Sequence, residues 1–249
     1  MSTLDEYRTK YGDLPGWFPD ASQVIWDALL AFQLSEGIFG NLLEIGVYEG
    51  KSAALFSLHA QEGEKCLFVD PVLKANTIKL LEKVASSGAE FFQHKSEKLD
   101  EPTFLSKWSG THRWIHIDGE HTGMAVMKDL YIADQLLGVG GIVCVDDFLC
   151  PAYVQITRTV FRFLDRYPER FVLLLCGFNK GYLCRPHAAR TLRSYIATDF
   201  RQDLFDRDFE DFTLWRSTFP DDMNAFGITH KAFGTNVHGP DWAKDQLLV

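Results

Sequence analysis

The sequence has no long apolar segment, no excess of positive charge and no apolar stretch among its first residues. No apolar run approaches the ~18 residues that a helix crossing a bilayer requires, so we expect no membrane span. The first residues, MSTLDEYRTKYGD, contain no apolar stretch of the kind seen in secretory signals. Lys and Arg number 25 against 34 Asp and Glu, which gives a net charge of −9. Because affinity for nucleic acid depends mostly on cationic side chains, this balance disfavours a general nucleic-acid binder.

The cysteines do not form a disulfide framework. There are five of them, an odd number, and no two stand in a C-x-x-C pair. Most lie inside apolar runs, where a free cysteine behaves as a small hydrophobic residue. We therefore expect a reduced protein of the cytoplasm.

From residue 41 onward, short apolar runs typical of buried strands alternate with amphipathic helical patterns. The strand candidates are Leu42–Gly46, Cys66–Asp70, Glu90–His94, Trp114–Asp118, Ile142–Asp146, Phe171–Cys176 and Tyr182–Arg185. This alternation predicts an α/β fold with a doubly wound, mostly parallel sheet of seven strands. Only five residues separate the last two strands, too few for a crossover helix, so they should form a terminal antiparallel hairpin.

Two segments flank this predicted core of residues 41–186. Residues 1–40 contain an amphipathic helix over Ala21–Glu36, and residues 187–249 form a C-terminal extension with a helix near His187–Phe200. We expect both flanks to pack on the core as helical caps. The N-terminal helix could cover a cofactor or build an interface between two copies of the chain, which makes a homo-oligomer compatible with the sequence.

The loop after the first strand excludes two common nucleotide-binding motifs. Gly46 and Gly50 are separated by three residues, whereas a phosphate-binding P-loop needs four. Tyr48 stands where the dinucleotide fingerprint requires its second glycine. The loop therefore suits a ligand that approaches the backbone but brings no phosphate, and adenosylmethionine is such a ligand. The second strand ends at Asp70, where a carboxylate can accept hydrogen bonds from ribose hydroxyls.

The run from Glu44 to Ser52, EIGVYEGKS, resembles motif I of the class I adenosylmethionine-dependent methyltransferases. The predicted strand order resembles the Rossmann-like fold of that family over about residues 40–185. The resemblance implies that the motif I loop contacts the methionine part of the donor, that the acid after strand two holds the ribose, and that a residue after strand three lies near the adenine. The donor-binding positions implied here are Glu44, Gly46, Tyr48, Ser52, Asp70, Ser96 and Asp118.

Acidic residues follow two further strands that should be neighbours in this fold. Asp118 ends the fourth strand, and the pair Asp146 and Asp147 ends the fifth. Three carboxylates at one edge of a sheet repel one another strongly, so that either one pKa rises or a cation binds among them. Hard oxygen ligands suit Mg²⁺, or another divalent cation such as Ca²⁺ or Mn²⁺. The sequence therefore predicts a metal site formed by Asp118, Asp146 and Asp147.

The run IDGEH followed by VDDF is similar to a metal-dependent O-methyltransferase subgroup that acts on vicinal hydroxyls. That subgroup includes the catechol O-methyltransferase type and the sugar O-methyltransferases of macrolide and aminocoumarin biosynthesis. Its members imply a general base two or three residues after the first metal ligand, here Glu120 or His121. We favour His121, because an imidazole with a pKa near 6.5 can accept a proton at neutral pH.

We therefore predict O-methyl transfer to a small hydroxylated acceptor, with no nucleic-acid or membrane partner. Two alternatives remain open. One is a metal-independent N- or C-methyltransferase of the same fold, and the other is a nucleoside-binding module without catalysis. A nicotinamide-dependent dehydrogenase is disfavoured because the first loop lacks the pyrophosphate-binding glycines.

Overall fold

A computed structural model describes residues 1–216 and 224–232 of the chain. The helices in this part of the chain surround one sheet. They are α1 (Thr3–Tyr11), α2 (Asp20–Ser35), α3 (Lys51–Leu58), α4 (Ala75–Val84), α5 (Pro102–Trp108), α6 (Gly123–Leu136), α7 (Val154–Arg166), α8 (Ala189–Thr198) and α9 (Phe200–Phe205), with a 3₁₀ helix at Ser96–Asp100.

The strands confirm the predicted α/β architecture. They are β1 (Asn41–Ile45), β2 (Cys66–Val69), β3 (Ala89–Phe92), β4 (His112–Ile117), β5 (Leu137–Val145), β6 (Val172–Gly177), β7 (Lys180–Cys184), β8 (Thr213–Arg216) and β9 (Phe226–Thr229). Within the described residues the order across the sheet is β3-β2-β1-β4-β5-β7-β6-β9-β8. Strands β1 to β5 are parallel, and β6 and β7 form the expected antiparallel hairpin.

The C-terminal extension contributes strands as well as helices. Strand β9 pairs in parallel with β6, and β8 closes the edge antiparallel to β9. The sequence analysis did not anticipate this addition to the seven-stranded sheet. Gly177 permits it, because a Cβ atom there would lie 1.8 Å from the carbonyl oxygen of Ile228. The remainder of the extension, residues 217–223 and 233–249, lies outside the described residues.

The two faces of the sheet carry separate hydrophobic layers, as the alternation of strands and helices requires. One layer joins the sheet to α1, α2, α3, α4, α8 and α9, with Trp26 and Trp114 fully buried in it. The other joins the sheet to α5, α6 and α7 through residues such as Leu130 and Phe163. None of the helices in the described residues is both long enough and apolar enough to cross a bilayer. All five cysteines are unpaired, as expected.

Backbone hydrogen bonds join the residues that follow the parallel strands to the ends of the neighbouring strands, so that these residues lie side by side at the carboxyl edge. The Gly46 amide donates to the carbonyl of Val69, and the Asp118 amide donates to the carbonyl of Ile45, both at 2.8 Å. The Asp146 amide donates to the carbonyl of Ile117 at 2.9 Å. Side chains that are distant in sequence therefore meet at one edge of the sheet.

Candidate functional site

A cavity of 480 Å³ opens at the carboxyl edge of β1, β4 and β5. Such a volume lies within the range of small-molecule sites. Its walls combine the loop after β1, the acidic ends of β4 and β5, and the segment between α1 and α2. The lining residues that matter below are Trp17, Gly46, Tyr48, Ser52, Asp70, Asp118, His121, Asp146, Asp147 and Tyr153.

The loop after β1 is shaped by a close contact between two backbone segments. Gly46 has a φ of +90°, and a Cβ atom there would lie 1.9 Å from the carbonyl oxygen of Asp118. The close approach of the chain after β4 therefore requires a glycine here, and Gly46 also lines the cavity. Tyr48 also has a positive φ, +48°, and its side chain is half exposed at the cavity mouth.

Asp70 connects this loop to the end of β2. Its Oδ2 accepts hydrogen bonds from the amides of Val47 and Tyr48 at 2.9 and 3.2 Å, and its Oδ1 accepts one from the amide of Val72 at 2.8 Å. Each carboxylate oxygen has more than one acceptor position, so the predicted hydrogen bonds to ribose are compatible with these contacts.

A second, smaller cavity of 230 Å³ adjoins the first. Gly46, Asp70 and Asp118 line both cavities, whereas Ser96 and Glu120 line only the smaller one. The structure therefore brings Ser96 to the same crevice as Asp70.

Glu44 does not line either cavity. Its side chain is fully buried, and Oε1 lies 2.6 Å from both the Ser52 hydroxyl and Nδ1 of His116. Burial raises the pKa of the Glu44 carboxyl, although the hydrogen bond with His116 opposes this shift. The position of Glu44 therefore fits an indirect role, in which it orients Ser52 and links β1 to β4.

The three predicted metal ligands do meet at the carboxyl edge, but their surroundings differ. The Asp118 side chain is one-third exposed to the cavity, and burial raises its pKa. Asp147 has a φ of +53° and accepts a hydrogen bond from the side-chain amide of Asn179 at 2.6 Å. Asp146 is largely buried and contacts a lysine, Lys180, whose Nζ lies 2.5 Å from Oδ2.

A buried chain of ionisable groups extends inward from Asp146. Nε2 of His116 lies 3.6 Å from Oδ2 of Asp146, and the same imidazole contacts Glu44 on its other side. Burial alone would lower the pKa of His116, but the neighbouring carboxylates of Asp146 and Glu44 raise it to about 9. Burial would raise the pKa of Asp146, yet the charge of Lys180 holds it well below its usual range.

The two candidate bases occupy different places. Nε2 of His121 lies 3.3 Å from Oδ2 of Asp147 and 3.6 Å from Oδ1 of Asp118, on the wall of the larger cavity. The neighbouring Asp118 carboxylate raises the pKa of His121. Glu120 lines only the smaller cavity, and its exposed carboxylate contacts Lys95 and Thr122. The geometry thus brings His121, rather than Glu120, to the acidic cluster.

The residues present fit a divalent cation. One ligand atom each from Asp118, His121 and Asp147 lies within 4.8 Å of the others, and the same holds for His116, Asp118 and Asp146. Nε2 of His121 is buried and has no hydrogen-bond partner among the described residues. Carboxylate oxygens with one imidazole are suitable ligands for Mg²⁺ or Mn²⁺.

Four side chains of the site were not predicted from the sequence. Lys180 lies beside a tight turn, where a lysine gives no signal of burial. His116 lies within β4, and its partners Glu44 and Asp146 belong to β1 and to the end of β5, so the sequence around it gives no signal of these contacts. Trp17 belongs to the loop between α1 and α2, which has no recognisable motif. Tyr153, whose ring centroid lies 4.3 Å from that of His121, follows no pattern either.

Comparison with known proteins identifies the central part of the chain. Residues 43–148 match the family model of a methyltransferase domain. Among curated proteins, none matches the chain by sequence.

Solved structures share the fold at low sequence identity. CalS11, a TDP-rhamnose 3'-O-methyltransferase of calicheamicin biosynthesis, aligns with a TM-score of 0.51 at 13% identity over 74% of this chain and 93% of that one. A Corynebacterium glutamicum protein aligns at 0.54 and 15% identity over 74% and 90%. The MycE methyltransferase of the mycinamycin pathway, solved with Mg and SAH, aligns at 0.53 and 14% identity over 74% of this chain and 54% of that one. At these identities the likeness concerns the fold.

Proposed function

We propose that this chain, whose residues 43–148 match a methyltransferase domain, is a class I adenosylmethionine-dependent enzyme that methylates a hydroxyl of a small molecule with vicinal oxygens, with the help of a divalent cation. The acceptor class would be the sugar of a natural product or a catechol-like phenol. The observation that carries this proposal is the meeting of Asp118, Asp147 and His121 in the wall of the cavity that Gly46 and Asp70 also line. Mg²⁺ is the cation that we expect.

The donor would lie along the crevice formed by the two adjoining cavities. Gly46, Tyr48 and Ser52 would face its methionine part, Asp70 its ribose, and Ser96 its adenine side. Asp118 lines both cavities and stands between these positions. Glu44 would support the donor site by holding the hydroxyl of Ser52 at 2.6 Å.

The cation would be held by acidic side chains of the cluster at the ends of β4 and β5. When bound, a divalent cation lowers the pKa of a coordinated hydroxyl and orients neighbouring oxygens. The chain itself contributes the fixed carboxylates of Asp118 and Asp147, the second of which is held by Asn179. This placement leaves the acceptor between the acids and the donor crevice, where orientation can contribute much of the rate enhancement.

His121 is suited to accept the hydroxyl proton at Nε2. Its ring packs against Tyr153, and the side-chain amide of Gln155 donates to its backbone carbonyl at 2.7 Å, so two contacts fix its orientation. Glu120 remains the alternative base that the resemblance implies, but it would have to turn away from Lys95 to reach the acids.

The acceptor would enter past exposed aromatic side chains. Trp17 is 88% exposed although it lines the cavity, and its ring centroid lies 5.8 Å from that of Tyr48. An indole that is so poorly buried contributes little to the core. It offers instead an apolar surface on which a sugar or phenol ring can pack.

The direct test is a donor-binding and acceptor screen with purified protein. We expect calorimetry to detect micromolar binding of adenosylmethionine, and labelled methyl groups to appear in a polyol or catechol acceptor. Transfer should cease with EDTA, return with Mg²⁺, and be abolished by Asp118→Ala. Full activity in EDTA would contradict the role of the metal.

One observation favours a second candidate, a metal-independent N- or C-methyltransferase. Lys180 already neutralises Asp146, so part of the repulsion among the acids is relieved without an ion. Transfer to an amine or carbon acceptor that survives a chelator would support this candidate. Tight donor binding without turnover on any acceptor would instead indicate a nucleoside-binding module.

The setting that we propose for the reaction is the cytoplasm. The five unpaired cysteines suit a reducing compartment. The net charge of −9 suits a small-molecule acceptor better than nucleic acid. A homo-oligomer remains compatible with the N-terminal helices.

A further inference from the structure

Lys180 is buried at the centre of the acidic cluster. Its side chain is 2% exposed, and its Nζ lies 2.5 Å from Oδ2 of Asp146. Strands β5 and β7 are antiparallel neighbours, and this pairing carries the lysine from the hairpin to the end of β5. On its other sides the ammonium faces the rings of Phe18 and Trp26, at 5.5 and 5.6 Å. A cation enclosed in this way cannot exchange its carboxylate partner for water without a large cost.

Both carboxylate oxygens of Asp146 already have partners within the chain. Oδ2 accepts from Lys180, and Oδ1 accepts from the backbone amide of Asp147 at 2.7 Å. The Asp146 residue is 8% exposed. An ion that took Asp146 as a ligand would also lie beside the buried ammonium, whose positive charge repels it.

The other two acids are more available. The Asp118 side chain is one-third exposed, and its nearest charged contact is Nε2 of His121 at 3.6 Å. Oδ1 of Asp147 accepts from Asn179, but Oδ2 faces His121 and the cavity. Asp118 and Asp147, which lie on either side of His121, are therefore the acids that face an incoming ion.

We propose that Lys180 is a fixed internal cation of this centre, which keeps Asp146 out of the ion's coordination shell and leaves Asp118 and Asp147 as its protein ligands, while Nε2 of His121 beside them stays available as the base. This inference rests on the proposed metal-dependent function and changes the ligand set predicted from the sequence. Three carboxylates and one ammonium leave a formal charge of −2, which matches one divalent cation. Lys180 is thus a positioning residue that acts through Asp146.

The test compares two double variants of equal charge. In the full-length chain, Mn²⁺ affinity is measured from the electron paramagnetic resonance signal of the free ion. Lys180→Met with Asp146→Asn removes the ion pair, whereas Lys180→Met with Asp118→Asn makes the same charge change and removes an exposed acid. We expect the first to bind Mn²⁺ within about threefold of the unmodified chain, and the second at least about tenfold more weakly. Lys180→Met alone should bind at least about threefold more tightly, since it removes a cation near the site.

The outcomes separate this inference from the proposed function. If the variant without the ion pair binds as weakly as its matched control, Asp146 is a direct ligand and the inference is wrong. Unchanged or weaker binding by Lys180→Met alone would also overturn it. If the unmodified chain binds no Mn²⁺, the metal-dependent function itself fails, and the inference fails with it.

Circular dichroism and thermal melting show which variants fold. If the double variants do not fold, the single variants Asp146→Asn and Asp118→Asn make the same comparison, because each removes one negative charge. The inference then requires Asp118→Asn to bind Mn²⁺ more weakly than Asp146→Asn, and equal loss would contradict it.

Discussion

Two clusters of buried charge lie at opposite edges of the same sheet. At the amino edge, Arg113 is 1% exposed and forms a two-pronged contact with Glu64, at 2.8 and 2.9 Å. The guanidinium also donates to the side chain of Gln33 and the carbonyl of His59. Glu64 in turn accepts from the amides of Gly40 and Gln61. Nearly all the hydrogen-bonding groups of this cluster therefore have partners within the chain.

The cluster at the carboxyl edge is less complete. Oε2 of Glu44 and Nε2 of His116 and His121 are buried without a hydrogen-bond partner among the described residues. Asp118 and Asp147 border an open cavity rather than packed side chains. Buried polar groups without partners are rare in folded proteins and often mark a site that a ligand or ion completes.

The difference in hydrogen bonding indicates that one cluster stabilises the fold and the other serves a ligand-binding site. Both clusters are ionic and both join β4 to its surroundings, but only one of them faces space in which a ligand can bind. We therefore expect the amino-edge cluster to control unfolding, and the carboxyl-edge cluster to control ligand affinity and transfer.

The largest effect on stability should follow from Arg113→Met. This change leaves Glu64 buried without its cation, and breaking such a pair costs about 3–5 kcal/mol. Urea unfolding measures the loss, while calorimetry at low temperature should show donor affinity within about twofold of normal for the folded fraction. The control is Arg158→Met on the exposed face of α7, which should change stability by less than about 0.5 kcal/mol. A loss of unfolding free energy in Arg113→Met no larger than that of the control would contradict the structural role of the amino-edge cluster.

The largest effect on transfer should follow from Asp118→Asn. We expect kcat/KM to fall at least a hundredfold, about 2.7 kcal/mol, with the melting temperature unchanged or higher because the repulsion from Asp146 and Asp147 decreases. Methyl-transfer kinetics with saturating donor measure the change. A large drop in melting temperature would show that Asp118 belongs with the structural cluster instead.

Asp129 offers a buried acid that belongs to neither cluster. It is 1% exposed, Oδ1 has no partner among the described residues, and burial raises its pKa to about 6 from 3.8. The native state therefore keeps a proton that the unfolded state loses between about pH 4 and 6, so stability falls as the pH rises through this window.

Asp129→Asn removes this dependence. We expect the variant to be more stable than the unmodified chain at pH 8, by on the order of 2 kcal/mol, and nearly equal to it at pH 4. Unfolding curves at the two pH values measure the difference. An equal effect at both values would mean that burial of this carboxyl is not the cause.

The smallest effect should follow from Trp17→Ala at the cavity mouth. We expect KM for the acceptor to rise about tenfold, about 1.4 kcal/mol, while kcat and the melting temperature change little because the indole is 88% exposed. Trp17→Phe should restore most of the affinity. A lower melting temperature without a change in KM would assign the indole to packing of the N-terminal segment.

Much of the fold could be predicted because its signals are local. Buried parallel strands are continuous apolar runs, and the five residues between the last two predicted strands permit only a hairpin. The meeting of Asp118 with Asp146 and Asp147 was also predictable, because neighbouring parallel strands end at one edge.

The features that could not be predicted from the sequence depend on contacts between distant residues. Strands β8 and β9 have four residues each, which is too short for a periodic pattern to predict them, and the pairing of β9 with β6 relies on Gly177. The partners of Glu44 and Asp146 lie on β4 and β7, and only the folded sheet brings them together. Burial of a lysine is likewise a property of its neighbours and not of the sequence around it.

We propose that a divalent ion binds beside the methyl donor at the carboxyl edge of the sheet. Nuclear magnetic resonance of the donor's S-methyl group, bound to the chain without acceptor, tests it directly when Mn²⁺ is added. We expect strong paramagnetic broadening of that resonance in the unmodified chain and little broadening in Asp118→Asn at the same ion concentration. A bound donor whose methyl resonance stays sharp while Mn²⁺ is bound would contradict the claim.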